Sequence, residues 1–91
     1  MEKKYIVVRA VFSEQIIIFS AVLDHKTVAG NMNVISAGFV DVMYYRDRDD
    51  LIPEDFILKA KAHCYGESKT LGIKSRPKED TILANILLRE D

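Results

Sequence analysis

The chain has 91 residues, of which 48% are hydrophobic and 30% are charged, and its formal net charge is −1. This size and balance predict one globular domain over residues 1–91 and argue against a disordered chain. The charge supplies no global positive field, so we do not expect nucleic acid or an anionic membrane surface as a partner.

Cysteine usage and the N-terminal residues indicate where the protein works. Cys64 is the single cysteine, which excludes an internal disulfide and a multi-cysteine zinc site. The first nine residues are too charged for a signal peptide, and the apolar run 15–23 is too short to cross a bilayer. We therefore expect a cytoplasmic protein with no membrane partner.

The first half of the chain predicts strands around a short helix. Residues 5–12 are β-branched and aromatic, and a short polar break separates them from a second strand over 15–20. Because three consecutive isoleucines lack alternation, this second strand is predicted to be central and covered on both faces. Asp24 is typical of a helix N-cap and predicts a helix over 25–32. Residues 33–45 have the character of a long strand, in which Gly38 marks a bulge or a close backbone approach.

The second half predicts a half-exposed strand and a longer helix. A charged loop over 46–55 precedes an alternating strand over 56–65, and residues 68–73 add a short edge strand. Pro77 favours a helix over 77–89, whose apolar stripe should pack on the sheet. That stripe consists of Ile82, Leu83, Ile86 and Leu87. The predicted class is α+β, a mostly antiparallel sheet of four or five strands with two helices, at about 25–32 and 77–89.

Residues 65–80 concentrate the potential binding chemistry. They end a predicted strand, turn at two glycines and open the second helix, whose N-terminal N–H groups favour anions. The candidate ligand-binding residues are Ser68, Lys69, Thr70, Lys74, Ser75 and Arg76. They predict a site for a phosphate-containing ligand or an acidic protein surface. The alternative is a strand-to-helix connection whose polar side chains cap and solvate it.

Other titratable residues are candidates with simpler explanations. His25 at a helix start could serve as a general base, or it could be an exposed first-turn histidine. The strand face with Lys59, Lys61 and His63 could line an anion groove or simply be solvated. Cys64 is predicted to be a buried structural thiol. The acidic loop over 47–55 lacks the glycine of a calcium loop, so we expect neither a metal nor a cofactor.

Two fragments resemble the phosphohistidine phosphatase (Janus/Ocnus) family. One is residues 24–28, Asp-His-Lys-Thr-Val, and the other is residues 63–72, with Tyr65-Gly66-Glu67-Ser68 at its turn. The resemblance implies a small α/β sheet with His25 as catalytic base and phosphate contacts around 65–68. The family's glycine-rich segment is absent, and residues 30–34 stand in its place.

Three functions follow from these observations. The first is a small soluble binding or interaction domain without catalytic activity, which recognises an anionic ligand or an acidic partner at residues 65–80. The second is a phosphohistidine phosphatase-like enzyme with His25 as base. The third is a structural or oligomeric accessory protein, and the apolar run 16–18 would support a homo-oligomer if that strand lay at an exposed edge.

Overall fold

A computed structural model describes residues 2–46 and 58–89 of the chain. The elements in chain order are β1 (Glu2–Arg9), β2 (Glu14–Phe19), α1 (His25–Ala29), β3 (Val34–Arg46), β4 (Leu58–Tyr65), β5 (Glu67–Ser68), β6 (Ile73–Lys74) and α2 (Pro77–Arg89). The four longer strands form one antiparallel sheet in the order β2-β1-β3-β4, and β5 and β6 pair as a small antiparallel hairpin. The predicted α+β class with two helices is confirmed.

Each face of the large sheet carries its own apolar cluster, because successive strand residues point to opposite sides. One cluster includes Tyr5, Val7 and Val40 and is covered by Ala84 and its neighbours in α2. The other includes Ile6 and is covered by α1 together with Leu71 and Ile73 of the β5–β6 hairpin and its turn. The domain is therefore a three-layered structure with the sheet in the middle.

The strand over 15–20 is not central, as its isoleucines predicted, but lies at the edge of the sheet. The central position belongs to β1, which pairs with both β2 and β3. Tyr5, Ile6 and Val7 in β1 are completely buried, whereas Ile16 and Ile18 in β2 are only partly buried. A strand without alternating apolar and polar residues is therefore one that is partly buried on both faces. An edge strand between two covering layers meets this condition as well as a central strand does.

The predicted buried stripe of the second helix is wrong in part. Ile82, Ile86 and Leu87 are 55%, 48% and 40% exposed, while Asp80 and Ala84 are completely buried. The sheet beneath the helix presents polar groups that need partners, so the helix turns hydrogen-bonding side chains towards it together with Leu83 and Leu88.

Several boundaries differ from the prediction in ways that the backbone explains. β1 ends at Arg9 and four residues join it to β2; Ala10 donates its N–H to the Ser13 carbonyl at 2.8 Å, which leaves Val11 and Phe12 at the tip of this connection. α1 ends at Ala29, before Gly30 with its φ of 52°. The predicted loop over 46–55 and the start of the strand at 56–57 lie outside the described residues, except Arg46, which ends β3.

Of the two alternatives predicted for Gly38, a bulge or a close backbone approach, the structure shows the close approach. A Cβ atom added there would overlap the Tyr65 carbonyl oxygen and would lie 3.3 Å from the carbonyl carbon of Gly66. The chain after β4 therefore passes directly over β3, which places the β5–β6 hairpin on the sheet.

Candidate functional site

Residues 65–80 fold into a closed hairpin that leads into α2. The turn before it uses Gly66 in the left-handed region, with a φ of 80°. Gly66 then accepts a hydrogen bond from the Ser75 N–H at 3.0 Å, and Ser68 accepts one from the Gly72 N–H at 2.9 Å. These bonds tie the two ends of the hairpin together, so the segment is a fixed platform rather than an open anion-binding loop.

Two of the three hydroxyl groups predicted to contact a ligand, those of Ser68 and Thr70, have hydrogen-bond partners within the chain. Ser68 is 1% exposed, and its Oγ accepts the Leu71 N–H at 3.2 Å and lies 3.3 Å from Thr70 Oγ1. The Thr70 hydroxyl, hydrogen-bonded to Asp24, lowers the pKa of that carboxyl. Asp24 precedes α1 but makes no side-chain capping bond to it. It therefore helps to join α1 to the hairpin turn instead.

Arg76 has its guanidinium committed to two carboxylates. Its Nη1 and Nη2 donate to the two oxygens of Glu14 at 3.2 and 2.9 Å, and Nε and Nη2 donate to Asp80 Oδ1 at 3.2 and 3.0 Å. The Glu14 bonds, followed by those of Asp80, raise the pKa of Arg76, and the pKa of Glu14 is lowered in turn. This predicted ligand-binding residue therefore joins α2 to the edge strand β2.

Asp80 is the centre of a buried polar network that the sequence did not reveal. Its carboxylate accepts the Tyr5 hydroxyl at 2.6 Å, the Ser36 hydroxyl at 2.9 Å and the Arg76 backbone N–H at 2.8 Å. Asp80 and Ser36 are both 0% exposed. No spacing in the chain indicates that strands β1 and β3 would supply its donors.

The lysines of this region stay in solvent. Lys69 and Lys74 on the hairpin and Lys61 on β4 are exposed. Lys61 alternates with Ala62, which faces α2, so it lies on the opposite sheet face, where the hairpin packs. We call Lys61, Lys69 and Lys74 the lysine face. None of the three makes an ion pair within residues 2–46 and 58–89.

His25 is a buried residue. It is 3% exposed, and its Nε2 lies 2.8 Å from the Gly38 carbonyl oxygen, so Nε2 carries a proton and donates it. The rings of Phe19 and Phe39 pack edge-on against it, with centroids 5.6 and 5.8 Å away. The same Phe39 ring stacks on Tyr65. Phe39 therefore contacts both fragments that resemble the phosphatase family, one through His25 and the other through Tyr65.

The remaining candidate residues, all on β4, differ in how exposed their side chains are. Lys61 and His63 are exposed, and the His63 ring stacks on Tyr65 with a centroid separation of 6.2 Å. Lys59 belongs to β4, but its side chain lies outside the described part. Cys64 is completely buried, as predicted, and its N–H donates to Thr81 Oγ1 at 3.0 Å.

We expect stability to decline at alkaline pH because two buried acids hold their protons. Burial raises the pKa of Cys64 to about 11 from 9.0, and burial together with the bond to Asp80 raises that of Tyr5 above 10.0. The folded state thus binds more protons than the unfolded chain, so stability is full below pH 9 and falls as pH rises. The part of this loss that is due to Cys64 should reach about 1 kcal/mol in the free energy of unfolding at pH 10.

Urea unfolding at pH 7, 8, 9 and 10 measures this decline. A Cys64→Ala variant should start less stable because of its cavity, and it should lose less stability between pH 8 and pH 10. Equal losses in the two proteins would contradict the assignment to Cys64.

Comparison with known proteins gives no match for this chain: no family model, no curated protein and no solved structure resembles it at a significant level. No helix among the described residues is long and apolar enough to cross a membrane. The fold and the contacts above therefore define a small α+β domain, and its function is argued from them alone.

Proposed function

We propose that the protein is a non-catalytic binding domain that recognises an acidic protein surface through its lysine face. The exposed ammonium groups of Lys61, Lys69 and Lys74, which make no ion pair with any residue of 2–46 or 58–89, carry this proposal. Lysines spread over a hairpin and a neighbouring strand present point charges to a broad surface. The cytoplasmic location expected from the sequence agrees with such a role.

An acidic surface fits this region better than a small phosphate ligand. A phosphate site needs converging donors, of which a bidentate arginine is the strongest. The Arg76 guanidinium already donates its hydrogen bonds to Glu14 and Asp80, and the Ser68 hydroxyl is buried in its own turn.

Binding to a fluorescent polyglutamate peptide tests the proposal. We expect measurable binding that weakens as salt is added, because the interaction is between exposed charges. Lys69→Glu should weaken it about fivefold, equivalent to the ~1 kcal/mol of a good surface ion pair. The matched control is Arg89→Glu, which makes the same charge change at the exposed end of α2 and should leave binding nearly unchanged.

Two results would overturn this assignment. Equal binding by Lys69→Glu and Arg89→Glu would show that only net charge matters. Binding of inorganic phosphate or ATP that is lost in Lys69→Glu would replace the acidic surface with a phosphate-containing ligand.

A second candidate function, a phosphohistidine phosphatase, rests on the position of Gly38. This residue accepts the His25 hydrogen bond and abuts the Tyr65–Gly66 peptide, so it joins the two fragments of the resemblance. Against catalysis, His25 is 3% exposed and its Nε2 is occupied. We expect no turnover of a phosphohistidine peptide; turnover that disappears in a folded His25→Ala variant would favour the enzyme instead.

A further inference from the structure

The outer edge of β2 presents backbone groups that pair with nothing in the part of the chain that the structure describes. The Ala10–Ser13 bond fixes the hydrogen-bonding pattern of the β1–β2 hairpin, so alternate residues 15, 17 and 19 pair with β1. The N–H and C=O groups of Glu14, Ile16 and Ile18 therefore point away from the sheet. Nothing in residues 2–46 or 58–89 forms a hydrogen bond with these groups of Ile16 and Ile18.

The opposite edge of the sheet is covered in part by α2. On β4, Asn85 of α2 donates to the Ala62 carbonyl at 3.1 Å and accepts the Ala62 N–H at 3.0 Å. Thr81 accepts the Cys64 N–H in the same way. Helix α2 thus occupies outward backbone groups of β4 at Ala62 and Cys64, and among the described residues it makes no such bond to the outer edge of β2.

β2 also lacks the usual features that prevent edge pairing. Native edges are blunted by lysine, proline or a bulge. The sequence of β2 is Glu-Gln-Ile-Ile-Ile-Phe, and its register with β1 runs without a shift from Glu14 to Phe19. Its one charge, on Glu14, is paired with Arg76. The strand therefore offers a nearly neutral, apolar edge to an incoming strand.

This edge is complementary to itself. An antiparallel pair of β2 strands related by a two-fold axis at Ile17 places Ile16 opposite Ile18 of the second copy and Ile17 opposite Ile17. Gln15 then faces Phe19, and no two like charges meet. Ile16 and Ile18 pack against the same apolar cluster as Leu83 of α2, so the pairing extends that cluster from one copy to the next.

Exposed apolar side chains lie at both ends of the same strand. Val11 and Phe12 form the loop before β2 and are 87% and 99% exposed, and Val22, shortly after β2, is 90% exposed. In the two-fold arrangement, the Val11–Phe12 loop of each copy lies beside the end of β2 in the other copy, near its Val22. Burial of these side chains in a dimer gives a physical reason for their apolar character.

We propose that two copies of this chain associate through antiparallel pairing of their β2 strands, with the two-fold axis at Ile17, to form a continuous eight-stranded sheet. We choose a second copy as the partner because the β2 edge is complementary to itself. Apolar residues meet apolar residues along the strand, no like charges face each other, and the exposed apolar side chains at the two ends of one strand meet those of the other. Isologous contacts of this kind are the commonest way in which protein dimers form.

Sedimentation equilibrium over a range of protein concentrations tests the dimer. The wild-type chain should be dimeric, and Phe12→Asp combined with Val22→Asp should raise the dissociation constant at least about tenfold. Both positions are at least 90% exposed, so the monomer fold should survive. Met43→Asp, at a position 60% exposed on β3, is the control and should leave the dimer unchanged.

Oxidative cross-linking tests the register. In a Cys64→Ala background, Ile17→Cys should form an intermolecular disulfide, because paired residues at a two-fold axis have Cβ atoms about 4.5–5.5 Å apart. Gln15→Cys, on the same face but paired with Phe19, should not. A monomeric wild type, or a dimer that cross-links equally at both positions, would overturn the proposal.

Discussion

Replacing Asp80 with alanine should lower the free energy of unfolding by about 3–5 kcal/mol, the cost of breaking a buried charged pair. The carboxylate is completely buried and accepts the hydroxyls of Tyr5 and Ser36 at 2.6 and 2.9 Å. Without it, both hydroxyls lose their partner in the core, and each buried unsatisfied group costs about 1–3 kcal/mol. The loss would be a large fraction of the total stability of a small domain.

Chemical denaturation measures this effect, with Glu79→Ala as the matched control. Glu79 is an exposed acid in the same helical turn, so its removal should cost less than about 0.5 kcal/mol. Tyr5→Phe and Ser36→Ala should each cost about 1–2 kcal/mol. Combined with Asp80→Ala, either should add little further loss, since the shared partner is already absent. An Asp80→Ala protein as stable as Glu79→Ala would show that the network does not hold α2 on the sheet.

Replacing Gly38 with alanine should cost about 3 kcal/mol, near the upper limit for overpacking. The added Cβ overlaps the Tyr65 carbonyl oxygen and lies 3.3 Å from the Ser75 Cβ. The main obstacle is backbone, which cannot rotate away as a flexible side chain can. The end of β4 and the hairpin that follows it must therefore shift, and the His25 contact with the Gly38 carbonyl shifts with them.

Gly72→Ala separates the effect of space from that of backbone conformation. Gly72 has a φ of 67° and nothing within 4 Å of its added Cβ, so the change should cost only about 1 kcal/mol of conformational strain. Thermal unfolding of both variants ranks the two costs. If Gly38→Ala proved as mild as Gly72→Ala, the close approach between β3 and the segment after β4 would not be a constraint on the fold.

The candidate site shows how far local chemistry can be predicted. Residues 65–80 do form a strand end, a glycine turn and a helix start, as the positions of Gly66, Gly72 and Pro77 indicated. What each polar side chain contacts was not predictable, because the partners are distant in sequence. Arg76 meets Glu14, which is 62 residues away, and Asp80 meets Tyr5, which is 75 residues away.

The sequence by itself determined the α+β class, the long strand β3, the helix α2 and the need for glycine at position 38, since periodicity and backbone preference act locally. Only the tertiary structure decided that β2 lies at the edge, that Asp80 rather than Ile82 faces the core, and that Arg76 is paired while Lys69 makes no ion pair among residues 2–46 and 58–89. These outcomes depend on which strands become neighbours, and strand order is set by the burial of the whole sheet rather than by any single segment.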